Sequence, residues 1–119
     1  MARRMLVVDD QKGIRRLLEE LFKQEGFEVT VAADGRQAVE EVRKSIPDIV
    51  LMDMKMPNMN GIEASEEILN ISENIPIILM TAYGEIELIE KSQKIGVRRY
   101  IVKPFDISVL REMVAEELG

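Results

Sequence analysis

The chain has 119 residues, 46% of them hydrophobic, with 22 acidic against 16 basic side chains and a formal net charge of -6. That length and apolar content suit one domain, residues 1–119, and the acidic balance argues against binding nucleic acid through a basic surface. With no Cys and no His, disulfides, thiolate nucleophiles, His acid–base catalysis and His or Cys zinc centres are excluded.

The first residues, MARRMLVV, are basic and then apolar, like the start of a secretory leader, but the apolar run stops at Asp9, too soon for one. No apolar run approaches the ~20 residues needed to span a bilayer. A soluble, cytoplasmic protein is the expectation, and the lack of Cys fits it.

From there the chain alternates between two periods. MLVVD (5–9) is short, apolar and rich in branched residues, so it reads as a strand. Ile14, Leu17, Leu18, Leu21 and Phe22 recur at i, i+3, i+4, i+7 and i+8, the stripe of a helix that Gly26 stops. FEVTVA (27–32) is a second strand. A helix then runs from ADG (33–35) through Ala38, Val39 and Val42, and ends before Pro47, since the residue preceding a proline disfavours helix. DIVLMD (48–53) is a third strand, and Asn60 caps a helix carrying Ile62, Ile68 and Leu69. PIILMT (76–81) precedes a helix from Glu85 to Ile95, stopped by Gly96. RYIVK (99–103) is the fifth strand, and Asp106 caps a last helix that buries Ile107, Leu110, Met113 and Val114.

The first, third and fourth strands are nearly continuous in apolar residues, as strands covered on both faces are. Five βα units with right-handed crossovers predict an α/β fold: a doubly wound, five-stranded parallel sheet, (βα)5, in the flavodoxin-like order 2-1-3-4-5. The eight Met residues are expected to fill gaps in the core. The short basic runs RR (3–4), RKS (43–45) and VRR (97–99) are expected to be solvated.

In such a sheet, ligands bind outside the carboxyl ends of the strands. Here the ends carry Asp9 and Asp10, Asp53, Thr81 and Lys103. Three carboxylates at one rim repel one another, and at least one should hold a proton near neutral pH unless a cation intervenes. Mg²⁺ takes oxygen ligands and keeps positions open for phosphate oxygens. Lys103 adds a positive centre and Thr81 a hydroxyl donor. With no His or Cys, a carboxylate is the available nucleophile, and Asp53 is the candidate acceptor of a phosphoryl group. Each residue alone has a plainer reading: a strand-end Asp as a helix cap, Asp9 and Asp10 as turn formers, Lys103 as a solvated strand end. The combination favours the shared chemistry.

These residues resemble the receiver domain of bacterial two-component response regulators, a CheY-like fold. The resemblance runs from LVVDD through DIVLMDMKMPNMNG and IILMTAYGE to YIVKPFD, essentially the whole chain. Single-domain receivers of the sporulation phosphorelay type are especially similar in VDDQKGIR, DMKMPNMNGIE and MTAYGE. The resemblance implies that Asp53 takes a phosphoryl group from a phosphohistidine on a histidine kinase or phosphotransferase helical bundle. It implies Mg²⁺ on Asp10, on Asp9 directly or through water, on Asp53 and on the backbone carbonyl of Lys55. It makes Thr81 and Lys103 the phosphoryl contacts, Ala82 the small neighbour, Lys103–Pro104 a cis bond, and Thr81 with Tyr100 the switch that reshapes the face of the fourth helix and fifth strand. Asn60 stands where the family often has Asp, and Tyr100 where sporulation-type receivers can carry His.

On this reading the protein is no turnover enzyme. It is a phosphoacceptor that catalyses its own phosphorylation and slow dephosphorylation, with Lys55 and Tyr83 shielding the acyl phosphate, and forwarding to a second histidine protein is a further step. It works as a monomer or a weak phosphorylation-dependent dimer, touching neither membrane nor nucleic acid directly. The expected partner surface is Gln11, Gly13, Ile14 and Leu17 beside the acidic pair, with Pro104 and Phe105 across the site and Ile14 as the exposed apolar contact. No linker begins after Leu118, which favours a stand-alone receiver. The rivals fit less well. A flavin binder would need a Gly-, Ser- and Thr-rich phosphate loop where DDQKG stands. A phosphohydrolase would need an acid or base two residues past Asp53, where Lys55 stands. A degenerate receiver that binds partners without phosphorylation is the alternative.

Overall fold

The computed structural model describes residues 2–119. Five strands and five helices alternate: β1 (Arg4–Val8), α1 (Lys12–Gln24), β2 (Glu28–Ala32), α2 (Gly35–Lys44), β3 (Ile49–Asp53), α3 (Gly61–Ile71), β4 (Ile77–Ala82), α4 (Ile86–Lys94), β5 (Arg99–Lys103) and α5 (Ile107–Leu118). All strand pairs are parallel, and the order is β2-β1-β3-β4-β5, as the sequence predicts.

Alternate residues of each strand feed two cores. Leu6, Val8, Val50, Met52, Ile77 and Leu79 pack under α2 and α3 with Ala38, Val42 and Ile68. Met5, Val7, Ile49, Leu51, Ile78 and Met80 pack under α1 and α5 with Leu18, Phe22, Leu110 and Val114. Burial on both faces explains why β1, β3 and β4 read as unbroken apolar runs. β2 is an edge strand and alternates.

Helix ends are where local sequence acts most directly. α1 closes on Gly26 at φ +94°, with Gly26 N–H donating to the Lys23 carbonyl and Phe27 N–H to the Phe22 carbonyl. The Phe22 and Phe27 rings meet edge-on at 5.6 Å, the apolar contact that accompanies this type of stop. At α3, Asn60 accepts from Glu63 N–H at 2.9 Å while the Glu63 carboxylate accepts from Asn60 N–H at 3.1 Å. Both bonds satisfy otherwise orphaned donors. Asn60→Ala is expected to cost about 1 kcal/mol in a urea melt; an unchanged midpoint would contradict the cap.

Three expectations need correction. Strand ends differ by a residue: β1 stops at Val8, so Asp9 lies in the following loop, and β4 continues through Ala82. The α1 stripe is narrower than its spacing implied. Leu18 and Phe22 are fully buried, Ile14 and Leu21 partly, and Leu17 is 50% exposed, because only one line of the helix meets the sheet. The basic runs are not simply solvated. The Arg4 guanidinium bonds Ser45 and the Ile46 carbonyl, Val97 is core, and Arg98 and Arg99 pair with Glu117 and Glu116 of α5. Among the described residues, no helix is long and apolar enough to cross a membrane.

Candidate functional site

β1 and β3 are neighbours, so their carboxyl ends bring Asp9, Asp10 and Asp53 together. One oxygen from each carboxylate lies within 4.8 Å of the others. Their settings differ. Asp9 is fully buried, accepts from Gln11 N–H at 2.9 Å through Oδ1, and has its carbonyl held by the Arg15 guanidinium at 2.8 Å. Asp10 is exposed, and Asp53, the last residue of β3, is nearly buried.

Lys103 reaches in from the end of β5. Its Nζ lies 2.7 Å from Asp9 Oδ2 and 3.2 Å from Asp53 Oδ1. Burial alone would lower the Lys103 pKa, but the hydrogen bond to Asp9 and the charges of Asp53 and Asp9 outweigh it, and the ammonium is held above its usual range. Asp53 shows the opposite balance. Burial, and then the charge of Asp9, push its carboxyl up from 3.8 to about 6, and the pull of Lys103 does not offset them. One ammonium does not neutralise three carboxylates. All-oxygen donors with surplus negative charge fit a hard divalent cation such as Mg²⁺.

Thr81, the penultimate residue of β4, is 1% exposed, and its buried hydroxyl has no hydrogen-bond partner among the described residues. Orphaned buried polar groups are rare and invite an explanation. A phosphoryl oxygen would supply the missing partner.

Lys55, two residues past Asp53, pairs through its ammonium with Glu85. Tyr83, the first residue of the loop that follows β4, is 92% exposed. Tyr100, on β5, is 41% exposed rather than turned inward, and Lys103–Pro104 is cis. Around the rim, Gln11, Gly13 and Pro104 are exposed. Phe105 is partly buried against the α1/α5 core. The expectation for Ile14 is overturned: it packs partly into the core, and Leu17 is the exposed apolar residue of α1.

Gly61 escaped the sequence reading. A Cβ there would lie 2.1 Å from the Asp53 carbonyl oxygen, and Gly61 N–H donates to the Met54 carbonyl at 2.7 Å. The start of α3 therefore rests directly on the backbone that carries Asp53. The only sequence signal was a Gly just after a capping Asn, which is common where no close approach exists.

A family model described as the response regulator receiver domain matches residues 5–115. The sporulation initiation phosphotransferase F of Bacillus subtilis is 48% identical over 118 residues, covering 99% of this chain and 95% of that protein. The chemotaxis protein CheY of Thermotoga maritima is 42% identical over 109 residues, covering 91% of each. Among solved structures, a CheY-like receiver domain protein from Methanospirillum hungatei superimposes with a TM-score of 0.95 at 29% identity, over 99% of this chain and 94% of that one. Of some longer regulatory proteins that it matches, the chain spans about a quarter, 25% and 27% in two cases.

Proposed function

This chain belongs to the response regulator receiver domain family of two-component and phosphorelay systems, and from that premise we propose that Asp53 accepts a phosphoryl group from a phosphohistidine on a partner helical bundle. The observation that carries the proposal is Lys103 bridging Asp9 and Asp53 beside the unpartnered Thr81 hydroxyl. A cation and a donor thus stand ready around one nearly buried carboxylate.

In the transfer, an Asp53 oxygen forms a bond to phosphorus as the phosphorus–nitrogen bond of the histidine breaks. The freed electron pair stays on the imidazole. Asp10, Asp53 and the Lys55 carbonyl, with Asp9 directly or through water, would hold Mg²⁺, and the bound ion would supply positive charge against the transferring oxygens. Lys103 then exchanges its Asp53 contact for a phosphoryl oxygen, and Thr81 donates its hydroxyl to another. Movement of Thr81 leaves room for Tyr100 to turn inward, reshaping the α4–β5 face. The protein is thus a phosphoacceptor rather than a turnover enzyme, working in the cytoplasm. Its similarity to a sporulation phosphotransferase supports forwarding of the phosphoryl group to a second histidine protein. Lys55 and Tyr83 are largely exposed in the unmodified protein, at 75% and 92%; on this reading they fold over the acyl phosphate once it forms, and it is then expected to outlast the scale of seconds.

Intact-protein mass spectrometry after incubation with acetyl phosphate and Mg²⁺, followed by a histidine-phosphorylated donor, tests the reading. One added phosphoryl group, absent without Mg²⁺, is expected. No added mass with either donor would leave a phosphorylation-independent binding module instead. Lys103→Ala is expected to lose phosphorylation-induced changes in α4 amide resonances; normal changes would remove Lys103 from the signalling path.

A further inference from the structure

The loops that follow β3 and β4 meet at Glu85. Its Oε1 accepts the backbone N–H of Ala82 at 2.7 Å, and its Oε2 lies 3.2 Å from Lys55 Nζ, an ion pair without hydrogen-bond alignment. The two contacts differ in weight. The Glu85 side chain is 10% exposed and the Lys55 side chain 75%. An ion pair to a solvated ammonium is worth little. A carboxylate on a backbone N–H is the stronger, charge-assisted bond, even at the exposed end of β4 where Ala82 stands. Ala82 is therefore the main anchor.

Glu85 immediately precedes α4 yet makes no capping bond to it, unlike Asp34, Asn60 and Asp106 at α2, α3 and α5. Its carboxylate is turned towards the site rim instead. Ala82 follows Thr81 and stands in register with Lys103, whose ammonium contacts Asp53. Three kinds of donor thus share one rim: the Thr81 hydroxyl, the Ala82 N–H and the two Lys ammoniums. Glu85 already holds the Ala82 N–H by a hydrogen bond and lies within ion-pair distance of Lys55. A phosphoryl group on Asp53 would bring up to two negative charges and three acceptor oxygens to the same rim. Two anions would then compete for shared donors while repelling each other.

We propose that Glu85 is an internal latch: its carboxylate holds the Ala82 N–H and Lys55 while Asp53 is unmodified, and a phosphoryl group on Asp53 displaces it and frees the start of α4. The latch rests on Asp53 being the acceptor. It supplies the differential contact that a population shift requires, since the same N–H cannot serve both anions fully. The coupling is reciprocal, so removing the latch strengthens binding of the phosphoryl group as well as loosening α4.

Beryllofluoride with Mg²⁺, a non-covalent phosphoryl mimic, gives the test. Binding and ¹H–¹⁵N amide spectra would be compared for wild type, Glu85→Gln and Glu85→Ala. Glu85→Ala is expected to bind the mimic about fivefold more tightly. Without the mimic, its amides at Ala82 and at residues 86–89 are expected already to lie towards their positions in mimic-bound wild type. Glu85→Gln keeps an acceptor but loses the charge, and should fall between. A merely structural Glu85 would weaken binding when removed. Equal or weaker binding in Glu85→Ala, or α4 amides that remain at wild-type positions, overturns the latch. If wild type itself neither binds the mimic nor gains phosphoryl mass, the acceptor reading fails, and the latch with it.

Discussion

Asp53→Asn is expected to abolish phosphoryl acceptance while making the protein more stable when divalent cations are removed. The acceptance loss is expected because an amide is no nucleophile for phosphorus, and of the carboxylates left at the rim Asp9 is fully buried and held by Lys103. The stability gain follows from the raised carboxyl pKa. Folding moves it from 3.8 to about 6, chiefly through burial and then through Asp9. A raised carboxyl binds its proton more tightly in the folded state, so its contribution to stability is present below pH 3.8 and is lost as pH rises through about 6. The difference of roughly two pH units corresponds to about 2–3 kcal/mol above pH 7. Urea melts in a chelator at pH 8 should show the Asn variant more stable by that order, with the gap closing towards pH 4. Added Mg²⁺ should narrow it from the other side, by stabilising wild type more than the variant. A variant less stable than wild type at pH 8 in the chelator would mean that Lys103 outweighs burial and repulsion at this carboxylate.

Gly61→Ala is expected to damage fold and site together. The added Cβ would sit 2.1 Å from the Asp53 carbonyl oxygen and 3.0 Å from both the Asp53 carbonyl carbon and the Met54 Cα. All three are backbone atoms, so no flexible side chain can swing aside. Either α3 lifts away from β3 or the end of β3 shifts. The expected cost is about 2–4 kcal/mol in a urea melt. Displacement of Asp53 should slow acceptance roughly 10- to 100-fold. Gly13→Ala is the control: its Cβ would meet nothing within 4 Å. In the first turn of α1 the same change should be neutral or stabilise by up to about 1 kcal/mol. Equal behaviour of the two variants would show that the close approach at Gly61 is unimportant.

Much of the architecture was legible because its causes are local. Runs such as IVLMD and IILMT had to be covered on both faces, which is a parallel sheet with helices on each side. Asn60 and Asp106 cap the helices they precede because a short polar side chain reaches back to nearby N–H groups. Once the strands are parallel and doubly wound, their carboxyl ends share one edge, so the convergence of Asp9, Asp10, Asp53, Thr81 and Lys103 could be anticipated from topology.

What the chain's order alone could not settle is how each group is placed against residues far away in sequence. Asp9 and Asp10 are chemically alike and adjacent. The fold buries Asp9 under Lys103, 94 residues away, and leaves Asp10 exposed. Helical spacing could not choose between Ile14 and Leu17, because the width of a buried stripe depends on how the helix lies on the sheet. Arg4 and Arg99 looked solvated until Ser45 and Glu117 came within reach. Composition and period therefore determined the elements, their order and the chemistry available at one edge. Tertiary packing decided which carboxylate is buried, which hydroxyl is left without a partner, and which anion holds the Ala82 N–H, because burial and long-range contacts exist only once the layers have closed.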